Sequence, residues 1–153
     1  METLTLSDYQ SLAEFRYQIR RFLRFSEQVA RKAGIEPRQH QLLLAIKGLP
    51  PHERASIGAL AERLQLQHHS AVELTNRLAK GGYVRRVRDR NDRREVLLSL
   101  TAKGEKLLRG LSLDHREELR NAGPTLMAAL LGVLKAGRPR MRKAGANGGE
   151  LSR

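Results

Sequence analysis

Apolar residues near the start of the chain recur at helical spacing: Leu12, Phe15, Ile19, Phe22 and Val29 share one stripe, with Ser7 and Asp8 as capping candidates and Gly34 as the stop. The pattern predicts one long helix over 8–32. Pro37 suits the first turn of a second helix, 37–47, whose buried side carries Leu42, Leu43, Ile46 and Leu49 before the break GLPPHER. Ile57, Leu60, Ala61 and Leu64 then repeat the helical period, and after a short turn around Leu66 so do Ala71, Leu74 and Leu78, ended by Gly81 and Gly82. Two short helices on a tight turn, with small Ala61 at the crossing, make a helix-turn-helix.

At Val84 the period changes from helical to alternating. Val96, Leu98 and Leu100 recur at every second residue, as a half-buried strand requires. Strands over 84–88 and 95–100, separated by DRNDRR with its turn formers Asp89, Asn91 and Asp92, make a hairpin, a wing beside the second short helix. Thr101 caps a further helix carrying Leu107, Leu108, Leu111, His115 and Leu119. NAGP predicts a break there, and then a last helix with Leu126, Met127, Leu130, Leu131 and Leu134. Both C-terminal helices are apolar enough to need a partner. From Gly137 onward Gly, Pro and basic residues lack any period, which predicts a disordered basic tail over 137–153.

Charge changes this picture from a fold to a function class. Lys and Arg number 29 against 16 Asp and Glu, a formal charge of +13 in 153 residues, and six arginines crowd 85–94. So large an excess, clustered beside turns and strands, points to nucleic acid before an anionic membrane, which a basic helix face would suit better. With no cysteine there is neither a disulfide nor a thiolate metal site. His68 and His69 are adjacent, and His52 and His115 lack the i, i+4 partner of a zinc hydrolase, so no metal and no cofactor are expected. Without a phosphate-cradling glycine loop or a nucleophile elbow, no enzyme is expected either. METLTLSDYQ lacks a basic-then-apolar signal pattern, and no stretch has the length of a membrane span, so the expected location is cytoplasmic.

The run LAERLQLQHHSAVELTNRLAKGGYVRRVRDRNDRREVLLSLTAKG, with helices on both sides, resembles the multiple-antibiotic-resistance regulator (MarR) family of winged helix-turn-helix transcription factors. The likeness spans about 8–136 and is carried by Leu60-Ala61, RLAKGGYVRR, the wing triplet Asp92 to Arg94, and LTAKG at Leu100 to Gly104. It implies a mostly α fold with a small β-hairpin wing, and a homodimer built by N- and C-terminal dimerisation helices. The corresponding parts are a dimerisation helix in 1–36, a DNA-binding winged region in 37–100, dimerisation helices in 101–136 and the tail. It also implies a repressor of double-stranded operator DNA of pseudo-palindromic sequence, relieved by a ligand or an oxidant, with a small aromatic ligand as the candidate for this chain. The chain departs from the family pattern at Glu73, where a basic or polar residue is common, and at Gln67, a poorer helix cap than Ser.

Burying Ala71, Leu74 and Leu78 turns Gln67, His68, His69, Ser70, Val72, Glu73, Asn76 and Arg77 toward solvent or DNA. A serine hydroxyl can donate to phosphate, Val72 can meet a thymine methyl, and Glu73 can accept from cytosine N4. The resemblance sends the wing to the minor groove, where focused negative potential suits Arg90, Arg93 and Arg94, with Asp92 bracing the loop by a carboxylate–guanidinium pair. It also sets the ligand where the first, second and fifth helices meet, lined by Phe22, His40, Leu43 and Leu44. A winged helix that binds protein or RNA is the alternative, and it would expose apolar residues on the second helix of the helix-turn-helix, the reading helix.

Overall fold

The structure, a computed structural model, describes residues 3–136. The expected tail, 137–153, lies outside them. Five helices and one hairpin follow in the order α1 (Leu6–Lys32), α2 (Pro37–Lys47), α3 (Ile57–Arg63), α4 (His68–Lys80), β1 (Val84–Arg88), β2 (Val96–Leu100) and α5 (Ala102–Lys135). The fold is mostly helical with a two-stranded antiparallel hairpin, as the periodicities predict.

Each boundary has a local cause. Thr5, not Ser7 or Asp8, caps α1: its hydroxyl accepts from the Asp8 amide, and the Asp8 carboxylate accepts from the Thr5 amide at 2.6 Å, a reciprocal capping box. Gly34 follows the helix with φ +86, a conformation that glycine adopts without a Cβ penalty. Pro37 opens α2 and Ser56 caps α3. Gln67 is the N-cap of α4 and makes no side-chain cap bond. The hairpin pairs Val84 with Leu100, Arg86 with Leu98 and Arg88 with Val96, so Val84, Leu98 and Leu100 share the buried face. Beside β2 lies an extended segment that the apolar pattern does not announce: Ser56 bridges Leu97, and the Leu98 amide donates to the Ala55 carbonyl at 2.9 Å.

The core gathers Leu42 and Leu43 of α2, Leu60 of α3, Leu74 and Leu78 of α4, the hairpin's Val84, Leu98 and Leu100, and Leu108 and Leu111 of α5. The winged unit is thereby fused to the start of α5. The rest of α5 runs along α1, antiparallel, from His115 beside Ser26 to Gly132 opposite Ser11.

Here the structure departs from the sequence reading. The expected break at NAGP is absent: α5 is one helix of 34 residues with Pro124 inside it. Proline removes one intrahelical bond and crowds the carbonyl four residues earlier, at a cost of about 3 kcal/mol. The packing of α5 along α1, including His115 on Ser26, offsets it. The face of α1 that is buried within the chain is also more polar than predicted. Asp8, Gln18, Ser26 and Ala30 are its buried residues, whereas Phe15, Ile19, Phe22 and Val29 are half-buried and Leu12 is exposed.

Candidate nucleic-acid interface

The hydrophobic face of α4 is the one predicted: Ala71, Leu74, Thr75 and Leu78 are buried. Thr75 spends its hydroxyl on the Ala71 carbonyl at 2.8 Å, so no polar group is left unpaired on that side. The opposite face presents Gln67, His68, His69, Glu73, Asn76 and Arg77 to solvent, with Ser70 and Val72 half-buried. Two of the candidates are already engaged with each other, since Arg77 donates to Glu73 one turn earlier at 2.9 Å. Asn76 accepts a hydrogen bond from Arg86 of β1, tying the end of the reading helix to the hairpin. Arg86 was missed from the sequence because its face depends on the register, which puts it on the helix side of the strand.

Arg90, Arg93 and Arg94 stand exposed on the loop between the strands, and none forms an ion pair among the described residues. Three guanidinium groups without internal counterions make a local positive field that backbone phosphates can neutralise. Asp92 does brace this loop, but by a different bond from the expected one. Its carboxylate accepts from the Arg94 amide at 3.0 Å, an Asx turn, and pairs with no guanidinium. The wing carboxylates that are ion-paired are Asp89, which is buried, and Glu95, and both meet Arg54, a residue of the α2–α3 connection.

The four residues expected to line a ligand site do not surround one cavity. Phe22 meets His115 edge-on with ring centroids 6.0 Å apart, and His40 lies 4.7 Å from the same ring. Leu43 is fully buried in the core, and Leu44, next on the helix, is 44% exposed on another side. A roomier place lies where the end of α1 and Tyr83 face α5: an open cleft of about 420 Å³ lined by Ala33, Tyr83, Leu107 and Leu111, with Lys103, Lys106 and Asp114 supplying its charges.

The junction of α1, α2 and α5 holds two histidines in close contact. His115 Nδ1 donates to the Leu111 carbonyl at 2.7 Å, because a carbonyl only accepts, and Nε2 shares a hydrogen bond with the Ser26 hydroxyl at 2.8 Å. His40 is almost wholly buried and its Nδ1 has no partner. Burial, and then the neighbouring His115, lower its pKa to about 4. Below about pH 6.5 the unfolded chain therefore takes up a proton that folded His40 refuses, and stability present above that pH is lost as pH falls toward about 4. The full loss is of order 3 kcal/mol. Urea midpoints measured between pH 7 and 4 should fall in the wild type and fall less in His40→Gln; parallel curves would mean that another group governs the loss.

Among the described residues no group of three or more His, Asp or Glu side chains could hold a metal ion, and no helix is long and apolar enough to cross a membrane. Residues 33–95 match the model of the MarR family. The chain is 29% identical over 79 residues to the HTH-type transcriptional regulator PapX of Escherichia coli, an alignment covering 52% of this chain and 48% of PapX. It thus spans about half the length of that relative. Among solved structures it is similar to AbsC, a MarR family transcriptional regulator from Streptomyces coelicolor, with TM-score 0.70, 19% identity and 88% and 91% of the two chains covered. It is also similar to a cysteine-substituted mutant of E. coli MarR complexed with operator DNA, with TM-score 0.61, 22% identity and 78% and 87% covered. At these identities the structural likenesses bear on the fold alone.

Proposed function

We propose that the chain, whose residues 33–95 match the model of the MarR family, is a homodimeric, sequence-specific DNA-binding regulator and not an enzyme, a repressor relieved by a small ligand. The observation that carries this reading is the separation of two surfaces. Polar and cationic groups, Gln67 to Arg77 and Arg90 to Arg94, cover the open face of α4 and the tip of the wing, while Leu6, Tyr9, Leu12, Met127, Leu130, Leu131 and Leu134 lie exposed at the start of α1 and the end of α5. The polar face of α4 offers little to a protein partner that would dock through apolar contacts, but it suits the major groove, with the wing arginines on the adjacent minor groove.

Dimerisation follows from the other surface. Leu6, Tyr9 and Leu12 of α1, with Met127, Leu130, Leu131 and Leu134 of α5, are each at least 40% exposed and lie at the same end of the antiparallel helix pair. Exposed apolar residues grouped in this way suit an interaction site, and a second copy burying about 2,000 Å² in total would make a stable dimer. Two reading helices about 34 Å apart would then meet successive major grooves of a pseudo-palindromic site. Binding there would occlude a promoter. The 420 Å³ cleft, with its apolar floor, the Tyr83 ring and the Lys106 ammonium set against the Asp114 carboxylate, suits a small aromatic ligand. Such a ligand would relieve repression by favouring a dimer whose reading helices are wrongly spaced.

Arg94→Ala tests the wing. Removing one phosphate-neutralising charge per subunit should weaken binding about tenfold near 0.1 M salt and lower the slope of log affinity against log salt by about 2 per dimer. Thermal stability should change little, since the Arg94 side chain makes no ion pair among the described residues. Unchanged affinity and slope would show that the wing does not touch DNA.

A further inference from the structure

The wing arginines can act on DNA only if their loop keeps its shape before DNA arrives, because an ordering cost on binding would subtract from affinity. The loop is short of apolar anchors. Val87 beside it is exposed and every residue from Arg90 to Arg94 is exposed. What fixes it is polar. The Asp89 amide donates to the Glu95 carbonyl at 3.1 Å, closing the base of the loop, and the Asp89 carboxylate accepts from the Asn91 amide at 3.0 Å. The second oxygen of that carboxylate meets the Arg54 guanidinium, which also lies 3.8 Å from Glu95.

Arg54 comes from outside the hairpin, one residue before the segment whose Ala55 carbonyl and Ser56 pair with β2. Its backbone is thus held against the far strand while its side chain reaches the point where the loop leaves β1. A buried carboxylate needs such a partner, since an unpaired one costs several kcal/mol. We propose that Arg54 and Asp89 form a clamp that sets the position of the wing on the helix-turn-helix, making both of them positioning residues for DNA binding that do not touch DNA. The proposal rests on the DNA-binding reading above. Arg54 also neutralises Asp89 and Glu95, two carboxylates that would otherwise oppose phosphate at the base of the wing.

The test compares Arg54→Ala, Asp89→Asn and the double variant with Arg94→Ala. The probe is a duplex of about 30 base pairs recovered from random-sequence DNA by selection on the wild-type protein. A clamp predicts that each single variant weakens binding about tenfold with an unchanged salt slope, and that the double variant is no weaker than either single one, because both remove one interaction. Asp89→Asn keeps the shape of the side chain, so it reports on pairing even if Arg54→Ala folds poorly. Amide exchange in the free full chain gives a readout that needs no DNA: Asp89 and Glu95 should exchange faster in both variants, while α4 keeps its protection. A slope lowered by about 2 per dimer in Arg54→Ala would make Arg54 a phosphate contact and overturn the clamp. Unchanged affinity, or unchanged exchange at Asp89 and Glu95, would overturn it as well. A wild-type protein that selects no duplex would instead refute the DNA-binding reading, and the role assigned to the clamp would fall with it.

Discussion

Gly104→Ala is expected to remove most of the stability of the folded chain. A Cβ at Gly104 would sit 2.1 Å from the Tyr83 carbonyl oxygen and 3.1 Å from its carbon, atoms of the backbone that no rotamer change can move. That carbonyl is itself held, because it accepts the Thr101 amide at 3.0 Å. Thr101 in turn caps α5 by accepting the Gly104 amide at 3.1 Å and donates its hydroxyl to the Gly82 carbonyl at 2.6 Å. The first turn of α5 is therefore bolted to the turn that ends the reading helix. Relief of the overlap must pull α5 away from α4 and the hairpin, so the loss should exceed about 3 kcal/mol, the upper end of ordinary overpacking. Gly110→Ala is the control: nothing lies within 4 Å of its Cβ, and the exchange should be neutral or add up to about 1 kcal/mol. Urea unfolding of the two variants decides the matter; a Gly104→Ala chain within about 1 kcal/mol of wild type would mean that α5 is not seated against Tyr83.

The second large effect concerns assembly. Leu130→Glu together with Leu134→Glu places two charges per chain on the apolar end of α5, where both residues are exposed within the protomer. The protomer should keep its winged core, since neither leucine belongs to it. Burial of unpaired carboxylates in the dimer interface would cost several kcal/mol per subunit, enough to dissociate it at micromolar concentration. With one reading helix and one wing left per particle, operator affinity should fall at least a hundredfold, because the second half-site would no longer be held at high effective concentration. Sedimentation of the wild type as a dimer and of the variant as a monomer is the expected result. A wild-type monomer, or a variant that remains dimeric, would contradict the assembly proposed for the apolar end.

These two variants also mark how far the sequence could be read. The period of the apolar residues located α2, α3, α4 and both strands to within a residue or two, because each element buries one face on a common core and the pattern of that face is local. Pro124 misled for the opposite reason. Its cost is local, but the packing that offsets it is on α1, some hundred residues earlier in the chain, as at Ser26. The same holds for α1, whose apolar stripe was legible although its partner was not: the residues it buries most fully within the chain are Asp8, Gln18, Ser26 and Ala30, while Leu6 and Leu12 stay exposed.

At the candidate interface, exposure of the reading-helix and wing residues follows directly from the burial of Ala71, Leu74 and Leu78 and from the turn residues of the loop. Pairing does not. Whether a guanidinium of the wing is free or engaged depends on register and on segments distant in sequence, so Arg86 on Asn76 and Arg54 on Asp89 were invisible, and the bracing role went to Asp92 in the wrong form. A charge run such as 85–94 is thus several devices: Arg86 and Arg88 hold structure, Arg88 by donating to the Arg93 carbonyl at 3.1 Å, while Arg90, Arg93 and Arg94 remain for a partner.

Binding of the purified full chain to a duplex selected from random-sequence DNA, against the same duplex scrambled, across 50 to 300 mM salt as an approximate range, tests the central claim most directly. The account expects two chains per selected duplex, an affinity at least a hundredfold above that for the scrambled one, and a log–log salt slope on the order of −5, from six wing arginines per dimer. Equal affinity for both duplexes, or a slope near zero, would contradict it.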